Sequence, residues 1–491
     1  MTRLISDYHM TRHSLREIFY IALSTLFIIG SRPALGQESS AQSSGETPPN
    51  VLLILADDLG SLDLNCYGAK DLQTPNLDRL ARRGVRFTQF YAAAPVCSPS
   101  RAALLTGKTN LGAGLPGNVP VPEKDPGMEG GLPSSEVTIA EMLKESGYYT
   151  ALVGKWHLGH APDKLPTAQG FDYFFGHQRG CIDNYSHFFY WSGPNRHDLY
   201  RNTEEVYRPG SYFPDLMVEE IGNIVARKQS QPFFIYWAIN VPHYPYQGTP
   251  KWLEYYKNLD SPRREYAAFV STMDEKIGEV LDKLEQLNKL DNTVIIFQSD
   301  HGHSYEERAF GGGGFAGPYR GGKFSMFEGG IRVPAIISYP PMLPEGRESD
   351  LPASGMDWFP TIAALTGSVV SDPGIEGMDL LPAISGKGHE HQASTAAITS
   401  RELHWQTGSY DDATSPWAVR KGEWKLLGNP VDPTPGWSRK RSGEDFKGKD
   451  RLFLVHLPTD SGETHNRADE NPEILKELLE LHTRWLNRVR R

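Results

Sequence analysis

Acidic side chains follow two separate aliphatic runs of the sequence. The run NVLLILA is followed by Asp57 and Asp58, and the run TVIIFQS is followed by Asp300 and His301. Three carboxylates that meet cannot all stay ionised unless a cation lies among them. Oxygen ligands favour Ca²⁺ or Mg²⁺ over zinc, and a histidine softens that preference only slightly. The two segments together predict a divalent-cation site, whereas Asp57 and Asp58 alone would fit a capped turn equally well.

Basic side chains occupy comparable positions after other predicted strands. Lys155 and His157 lie in GKWHLG, His243 ends INVPH, and Lys323 lies in YRGGKFSMFEGG. Such donors suit a tetrahedral anionic ester, because transfer at phosphorus or sulfur requires mainly positioning and the stabilisation of charge. One of them would also serve as a proton donor. Each residue alone is more typical of a protein surface, so the prediction depends on their joint placement.

Cys97, in the stretch VCSPSRAALLTG, has no evident partner. The chain has three cysteines, and one disulfide between Cys66 and Cys181 would leave Cys97 over. A buried apolar cysteine is the simple alternative. Arg101 follows four residues later and shares a helical face with Cys97 if a helix begins near Pro99. In that case the Arg101 side chain would lie on the same helical face as the thiol.

The composition describes a soluble globular protein of more than one domain. The chain has 491 residues, of which 39% are hydrophobic, and a formal net charge of −10. This charge gives no global basic field, so neither nucleic acid nor an anionic lipid surface is a predicted partner. An anionic ligand would require positive charge concentrated in a pocket.

The N-terminal segment is typical of an export signal. Arg12 and Arg16 precede the apolar run IFYIALSTLFIIG, and small residues follow up to Gly36. The apolar run is too short for the ~20 residues of a membrane-spanning helix, so an uncleaved anchor is the weaker alternative. We expect a signal peptide over 1–36 (from Met1 or Met10), a polar tether over 37–49, and a periplasmic or secreted protein without stable membrane insertion.

Helical and strand patterns alternate from residue 50 onward. This order predicts an α/β fold with a large, mainly parallel sheet between helices, and the carboxyl ends of parallel strands share one edge where sites form. After about residue 370 the pattern changes to short strands in AITSRE, WAVRKGEWKLL and RLFLVHLPTD, closed by a helix in NPEILKELLELHTRWLNRVRR. We expect a catalytic domain over 50–369 and a smaller antiparallel α+β subdomain over 370–491.

Five ordered motifs resemble those of the type I, formylglycine-dependent sulfatases. They are NVLLILADDLG, CSPSRAALLTG, GKWHLG, SDHG and YRGGKFSMFEGGIRVP, and they span residues 50–340. The resemblance implies an alkaline-phosphatase-like fold and hydrolysis of a sulfuric ester. The sequence departs from the family pattern in LTGK, where LTGR is commoner, and in His301, where many members carry asparagine.

The resemblance also implies a use for Cys97. In this family a maturation enzyme oxidises the cysteine to Cα-formylglycine before folding, and the aldehyde hydrates to a geminal diol. One hydroxyl attacks sulfur, and the other later expels sulfate. The family pattern implies a Ca²⁺ site (Mg²⁺ is possible) formed by Asp57, Asp58, residue 97, Asp300 and His301, with Asp300 also placed to accept the diol's proton.

The remaining roles carry over from the same motifs. Arg101 and Lys155 would stabilise the developing oxyanion at residue 97, and His157 would deprotonate the second hydroxyl. His243 and Lys323 would hold sulfate oxygens and protonate the leaving alcohol. The substrate would be a sulfated saccharide or an aryl sulfate.

Two positions and two other functions stay open at this stage. His177 and His187, in FFGHQRGCIDNYSHFFY, would contact the sugar or aryl group or merely cap loops. Phosphonate and phosphodiester hydrolases share the fold and sometimes the cysteine motif. A non-catalytic binder of sulfated glycans, with Cys97 left as a thiol, is the third possibility.

Overall fold

The run Asn50–Ala56 forms the strand at the middle of the main sheet, and all seven of its residues are buried. It pairs in parallel with a strand on each side. An unbroken aliphatic sequence is what a strand covered on both faces requires. The computed structural model describes residues 48–121, 130–191, 194–227, 231–386, 388–434 and 451–490. The predicted signal peptide and nearly all of the tether lie outside the described residues.

The strands of the described residues fall into one large sheet and three small ones. In chain order they are β1 (Asn50–Ala56), β2 (Val85–Phe87), β3 (Phe90–Tyr91), β4 (Tyr149–Lys155), β5 (Tyr173–His177), β6 (Phe188–Phe189), β7 (Arg196–His197), β8 (Tyr200–Arg201), β9 (Glu204–Glu205), β10 (Phe233–Ala238), β11 (Thr293–Ser299), β12 (Ala335–Ser338), β13 (Arg347–Ser349), β14 (Ala353–Ser354), β15 (Glu402–Gln406), β16 (Trp417–Lys421), β17 (Trp424–Gly428) and β18 (Leu452–His456).

The α-helices alternate with these strands over most of the chain. They are α1 (Pro75–Arg82), α2 (Cys97–Thr106), α3 (Ile139–Glu145), α4 (Phe213–Arg227), α5 (Pro250–Tyr255), α6 (Arg263–Gln286), α7 (Glu328–Ile331), α8 (Trp358–Thr366), α9 (Leu381–Ser385), α10 (Gly388–Ser400) and α11 (Pro472–Val489).

The large sheet has ten strands in the order β13-β2-β12-β11-β1-β10-β4-β5-β8-β9. Its five central strands, β11 to β5, are parallel, and antiparallel pairs lie on either side of them. The carboxyl ends of those five strands therefore lie along one edge, as the helix and strand alternation predicts. The expected large mixed sheet is confirmed.

Both faces of the sheet are covered by helices. Leu53 of β1 packs in the hydrophobic core that includes residues of α2, α3 and α8. Its neighbour Leu52 points to the opposite core, which includes residues of α1, α4 and α6. Alternate residues of a strand face opposite sides, so the central strand contributes to two cores at once.

The C-terminal part forms the expected smaller antiparallel sheet, in the order β15-β16-β17-β18. One face packs with residues of α2 and α7 and the other against α11. The prediction of a strand in AITSRE is wrong for all but its last residue, because residues 397–400 end α10 and β15 begins at Glu402. The domain boundary near residue 370 stays a prediction.

The cysteines do not pair. Cys66 and Cys181 are both free thiols, so the disulfide considered from the sequence is not formed. No helix within the described residues is long and apolar enough to cross a membrane.

Truncation of the central strand tests the two-sided core. Leu53 is fully buried, so Leu53→Ala removes its burial and leaves a cavity, and we expect a loss of ~2–5 kcal/mol in the free energy of unfolding. Denaturant unfolding monitored by tryptophan fluorescence measures it. Val369 is 79% exposed, so Val369→Ala should change stability by less than ~0.5 kcal/mol. Equal effects of the two substitutions would contradict the assignment of β1 to the centre.

Candidate active site

The ends of β1 and β11 bring the acidic residues together. The two strands are parallel neighbours in which Ala56 pairs with Ser299, so the residues that follow each strand are adjacent. The backbone N–H of Asp300 donates to the Ala56 carbonyl (2.9 Å), and the N–H of Asp58 donates to Asp300 Oδ1 (3.2 Å). Sheet pairing thus carries on past the strands and fixes the spacing of the carboxylates.

Asp58 turns the chain sharply at the end of β1. Its φ of 64° lies in the left-handed region, which aspartate tolerates better than most residues other than glycine. Asp57 and Asp58 are nevertheless both buried. The turn keeps two consecutive carboxylates in the same buried cluster.

Cys97 is the first residue of α2, two positions earlier than the sequence suggests, and it is buried. Its Sγ lies 3.3 Å from His301 Nε2 and 3.9 Å from Asp57 Oδ1. Arg101, one turn later, points to the same cluster, where its Nη2 donates to Asp300 Oδ2 at 2.8 Å. The shared helical face predicted for Cys97 and Arg101 is therefore present.

Ligand atoms of Asp57, Cys97, Asp300 and His301 all lie within 4.8 Å of one another. Asp58 Oδ1 lies 3.4 Å from His301 Nε2 and is buried without a hydrogen-bond partner. The Nδ1–H of His301 donates to the Gly302 carbonyl (2.9 Å), which directs Nε2 at the carboxylates. A buried carboxylate oxygen without a donor, among three acidic side chains, fits a hard divalent cation.

Two cations balance the charge of Asp57. Lys155 Nζ donates to both carboxylate oxygens, at 2.9 and 2.7 Å, and Arg101 Nη2 lies 3.3 Å from Oδ1. Burial by itself would raise the pKa of Asp57, but Lys155, His243 and Arg101 hold it well below its usual value. Asp57 is therefore ionised at neutral pH although it is fully buried.

Asp58 is balanced from the other side of the cluster. Lys323 Nζ donates to its Oδ2 at 2.9 Å, and His243 Nε2 lies 3.8 Å from the same atom. Burial by itself would lower the pKa of Lys323, but the neighbouring Asp58 carboxylate raises it well above the usual value for a lysine. Burial lowers the pKa of His243 to about 4, so this imidazole is neutral at pH 7. Its Nδ1–H donates to the Tyr244 carbonyl (2.6 Å), which directs Nε2 into the site.

His157 stands beside the cluster in a left-handed turn with φ of 56°. Burial and the positive charge of Lys155 hold its pKa well below the usual value, so the ring is neutral. Gly180 packs against the ring, and a Cβ at that position would lie 2.8 Å from Cε1. A neutral imidazole held in this way is suited to accept a proton.

A cavity of about 280 Å³ opens in front of the cluster. Four of the predicted site residues line it, namely Cys97, His157, His243 and Lys323. The other lining residues are Asn118, Val119, Pro120, Val121, His160, Arg179, Gly180, Cys181, Phe189, Trp191 and Phe324. Residue 97 therefore has the carboxylate cluster and the cations that contact it on one side, and the cavity on the other.

Comparison with known proteins identifies this arrangement. The family model described as Sulfatase matches residues 49–368. The chain belongs to the sulfatase family. N-acetylgalactosamine-6-sulfatase of Canis lupus familiaris is 36% identical over 444 residues, which cover 86% of this chain and 78% of that protein. Arylsulfatase A of Homo sapiens is 33% identical over 466 residues, which cover 88% of this chain and 87% of that protein.

Solved structures agree with this assignment. The crystal structure of Ps i-CgsB in complex with k-i-k-neocarrahexaose has a TM-score of 0.76 and 29% identity, and the match covers 90% of this chain and 93% of that one. The sulfatase fold expected from the sequence is therefore confirmed, and the chain is a sulfuric ester hydrolase. The family match favours this activity over the phosphonate, phosphodiester and non-catalytic alternatives.

Two histidines considered for substrate contact lie elsewhere in this sulfatase. His177, the last residue of β5, is buried, and its Nδ1–H donates to the Arg179 carbonyl at 2.8 Å. His187 is also buried, with Nε2 3.0 Å from the Ser211 carbonyl. Both rings pack against Phe213. Neither lines the cavity, so the geometry gives their predicted substrate contact no support.

Sequence reasoning missed three polar residues of the cavity wall. Arg179 lies in FFGHQRGCIDNYSHFFY, the segment that also contains His177 and His187. Its positive charge was a signal in the sequence that it could bind an anion. His160 follows GKWHLG directly. Asn118 accepts a hydrogen bond from the Ser98 N–H at 3.0 Å, and nothing in the sequence around it points to this role.

Cation binding tests the carboxylate cluster. A ligand that binds only the folded state at a hundredfold excess over Kd stabilises it by ~2.7 kcal/mol. We therefore expect Ca²⁺ to raise the unfolding temperature, EDTA to reverse this, and Asp300→Asn to abolish the shift, as differential scanning fluorimetry would measure. Asp274→Asn, in the buried part of α6 outside the cluster, should keep the shift. A wild-type protein indifferent to both Ca²⁺ and Mg²⁺ would refute the cation site.

Proposed function

We propose that this sulfatase removes sulfate from a sulfated saccharide, using a formylglycine made from Cys97 and a divalent cation, Ca²⁺ with Mg²⁺ as the alternative. The observation that carries the proposal is the position of Cys97 between the carboxylate cluster and the cavity. Its Sγ faces His301 and Asp57 on one side, and the residue lines the open space on the other. A nucleophile formed there would reach an ester in the cavity.

Conversion of Cys97 fits its surroundings. The side chain is only 3% exposed in the folded protein, so a maturation enzyme would have to act before folding is complete. The change is a two-electron oxidation for which the maturation enzyme would supply the oxidant: one oxygen enters to form the aldehyde, and the sulfur leaves with two hydrogens as hydrogen sulfide. The hydrated aldehyde would supply a hydroxyl nucleophile, and a cation held by Asp57, Asp58, Asp300 and His301 would stabilise negative charge.

Arg101 and Lys155 act on the charge at residue 97. Both are fully buried and both contact Asp57, within 3.3 Å, so they are held rigidly beside the nucleophile. Fixed cations in a water-excluded site stabilise developing negative charge without reorganisation. Asp300, which lies next to Arg101, is placed to accept the proton of the attacking hydroxyl.

His157 serves as the base that releases sulfate. Its ring lines the cavity and is neutral, so a nitrogen is available to take a proton from the second hydroxyl of the hydrated residue 97. Removal of that proton regenerates the aldehyde as the C–O bond to sulfate breaks. A protonated histidine could not perform this step.

His243 and Lys323 hold the sulfate group and the leaving oxygen. Lys323 is protonated and lines the cavity, so it donates to a sulfate oxygen and protonates the departing alcohol. His243 is neutral before substrate binds, because burial lowers its pKa to about 4. An anion in the cavity favours the imidazolium form, so His243 takes up a proton as the ester binds and donates through Nε2.

The substrate class follows from relatives and from the cavity. One relative is named N-acetylgalactosamine-6-sulfatase, and one solved neighbour was crystallised in complex with k-i-k-neocarrahexaose. The cavity combines basic side chains with Phe189, Trp191 and Phe324, which suit the apolar face of a sugar. The export signal predicted for the N-terminal segment supports a periplasmic or secreted enzyme, which would meet sulfated polysaccharides outside the cytoplasm.

Paired substrates test the reaction. The matured protein is assayed on 4-nitrophenyl sulfate and 4-nitrophenyl phosphate, which share one leaving group. We expect kcat/KM for the sulfate to exceed that for the phosphate by at least tenfold, about 1.4 kcal/mol of transition-state free energy. A preference for the phosphate would indicate a phosphate-ester hydrolase, and no turnover of either ester together with no sulfate release from sulfated saccharides would point to a binding protein.

The role of Cys97 is tested by substitution and mass. Cys97→Ala should lower kcat by at least ~10³-fold, because no nucleophile remains at that position. Cys66→Ala, which removes a thiol outside the site, should keep activity. Intact-mass analysis of the peptide containing residue 97 should show the aldehyde in active preparations. An active preparation in which residue 97 remains entirely a thiol would contradict the proposal.

A further inference from the structure

The cavity carries basic side chains that the proposed reaction does not use. Besides His157, His243 and Lys323, its wall includes His160 and Arg179. No aspartate or glutamate is among its lining residues in the described chain, although the protein has a net charge of −10. Because His157 and His243 are neutral, Arg179 is the lining residue that adds a positive charge beyond the Lys323 that the proposed reaction uses.

Arg179 is anchored by a buried acid, Asp198. Its backbone N–H donates to Asp198 Oδ2 (2.9 Å), and its Nη1 lies 3.6 Å from Asp198 Oδ1. The Gln178 N–H donates to the same carboxylate at 3.2 Å, and the Tyr200 hydroxyl also contacts the Arg179 side chain. Asp198 is fully buried. The guanidinium is thus held by fixed groups.

The guanidinium lies beside an aromatic part of the wall. Its Cζ is 5.6 Å from the ring centroid of Phe189, and both residues line the cavity. Trp191 lines it as well, and its ring is covered by the guanidinium of Arg308 at 4.5 Å. Aromatic rings offer a flat apolar surface to a sugar, and arginine binds planar or tetrahedral anions through two parallel donors. The combination suits a sugar that itself carries a negative group.

We propose that Arg179 is a specificity-determining residue that binds a second anionic substituent, a sulfate or a carboxylate, on the sugar whose sulfate ester is cleaved. The inference rests on the proposed function and narrows its substrate class to doubly charged sugar units. A cavity of about 280 Å³ is at the small end for ligand sites. It holds one sugar ring with its substituents, so the second anion belongs to the same ring as the ester.

Competition measurements test this assignment. Galactose 6-sulfate, galactose 4,6-disulfate and glucuronic acid 2-sulfate are each added to the matured full-length protein during hydrolysis of 4-nitrophenyl sulfate. The competition constant is defined whether or not the sugar is itself turned over. We expect at least one of the two doubly charged sugars to bind about tenfold more tightly than the monosulfate. Tighter binding of the disulfate would identify the second anion as a sulfate, and tighter binding of the glucuronic acid would identify it as a carboxylate.

Substitution of Arg179 then removes the preference. In Arg179→Gln the ratio between doubly and singly charged sugars should fall to within about twofold. Arg179→Lys keeps the charge but loses the two parallel donors, so it should retain part of the ratio. Arg208 is exposed in the same part of the chain, and Arg208→Gln serves as the matched control with the wild-type ratio. Unfolding temperatures establish that each variant is folded.

The outcomes separate this inference from the function on which it rests. A protein that releases sulfate neither from 4-nitrophenyl sulfate nor from any of the three sugars would refute the proposed function and the inference with it. An active protein that binds all three sugars equally would overturn only the role of Arg179. The same holds if Arg179→Gln weakens all competitors by one common factor, since that is the result of a purely structural arginine. If Arg179→Gln does not fold, an unchanged ratio in Arg179→Lys would count against the proposal.

Discussion

The structure depends on a balance of buried charge at one edge of the sheet. Asp57, Asp58 and Asp300 are almost completely excluded from water, a situation that carboxylates avoid unless they are paired. Arg101 and Lys155 compensate them from one side and Lys323 from the other. Lys323 also lines the cavity, and Arg101 lies one helical turn after Cys97. Under the proposed function, the groups that make the acidic cluster tolerable are therefore the groups that would stabilise an anionic substrate. Stability of the site and its chemistry therefore share one set of contacts.

The parallel centre of the sheet is what allows this cluster to form. Parallel strands end at the same edge of the sheet. The segments that follow β1, β4, β10 and β11 are far apart in the chain, yet they contribute neighbouring side chains at this edge. The C-terminal sheet also stabilises the segment that carries Lys323. Lys425 of β17 is fully buried and donates to Glu328 at 2.8 Å, and Glu328 lies five residues after Lys323 in the chain. Trp405 of β15 similarly donates to the Ala92 carbonyl (2.8 Å), in the stretch that leads to Cys97. The smaller sheet thus supports the site without contributing a residue to the cavity lining described above.

Sequence patterns predicted the features that depend on strands and helices. The aliphatic runs identified β1 and β11, and strand-end geometry alone then brought Asp57 and Asp300 together. Features that depend on loop conformation were not accessible in this way. Arg179 and His177 are two residues apart, yet only Arg179 lines the cavity, because strand β5 ends between them and the chain turns. The helix in AITS was missed because its small and β-branched residues show no helical periodicity. Spacing fixes which segments meet, but not which side chain of a loop points inward.

The burial of Cys97 places a constraint on the order of events during synthesis. In the folded protein its side chain is packed at the first turn of α2, with His301 and Asp57 within 3.9 Å of the sulfur. An enzyme active site cannot surround a side chain in that position, because α2 is buried along its whole length and lies against the sheet. Oxidation after folding would require the helix to leave the core, at a cost comparable to the stability of the protein itself. Under the proposed function, the chemical form of residue 97 would therefore have to be set while the chain is still unfolded. Folding would then enclose the proposed aldehyde beside Arg101 and Lys155, the buried cations that pair with Asp57.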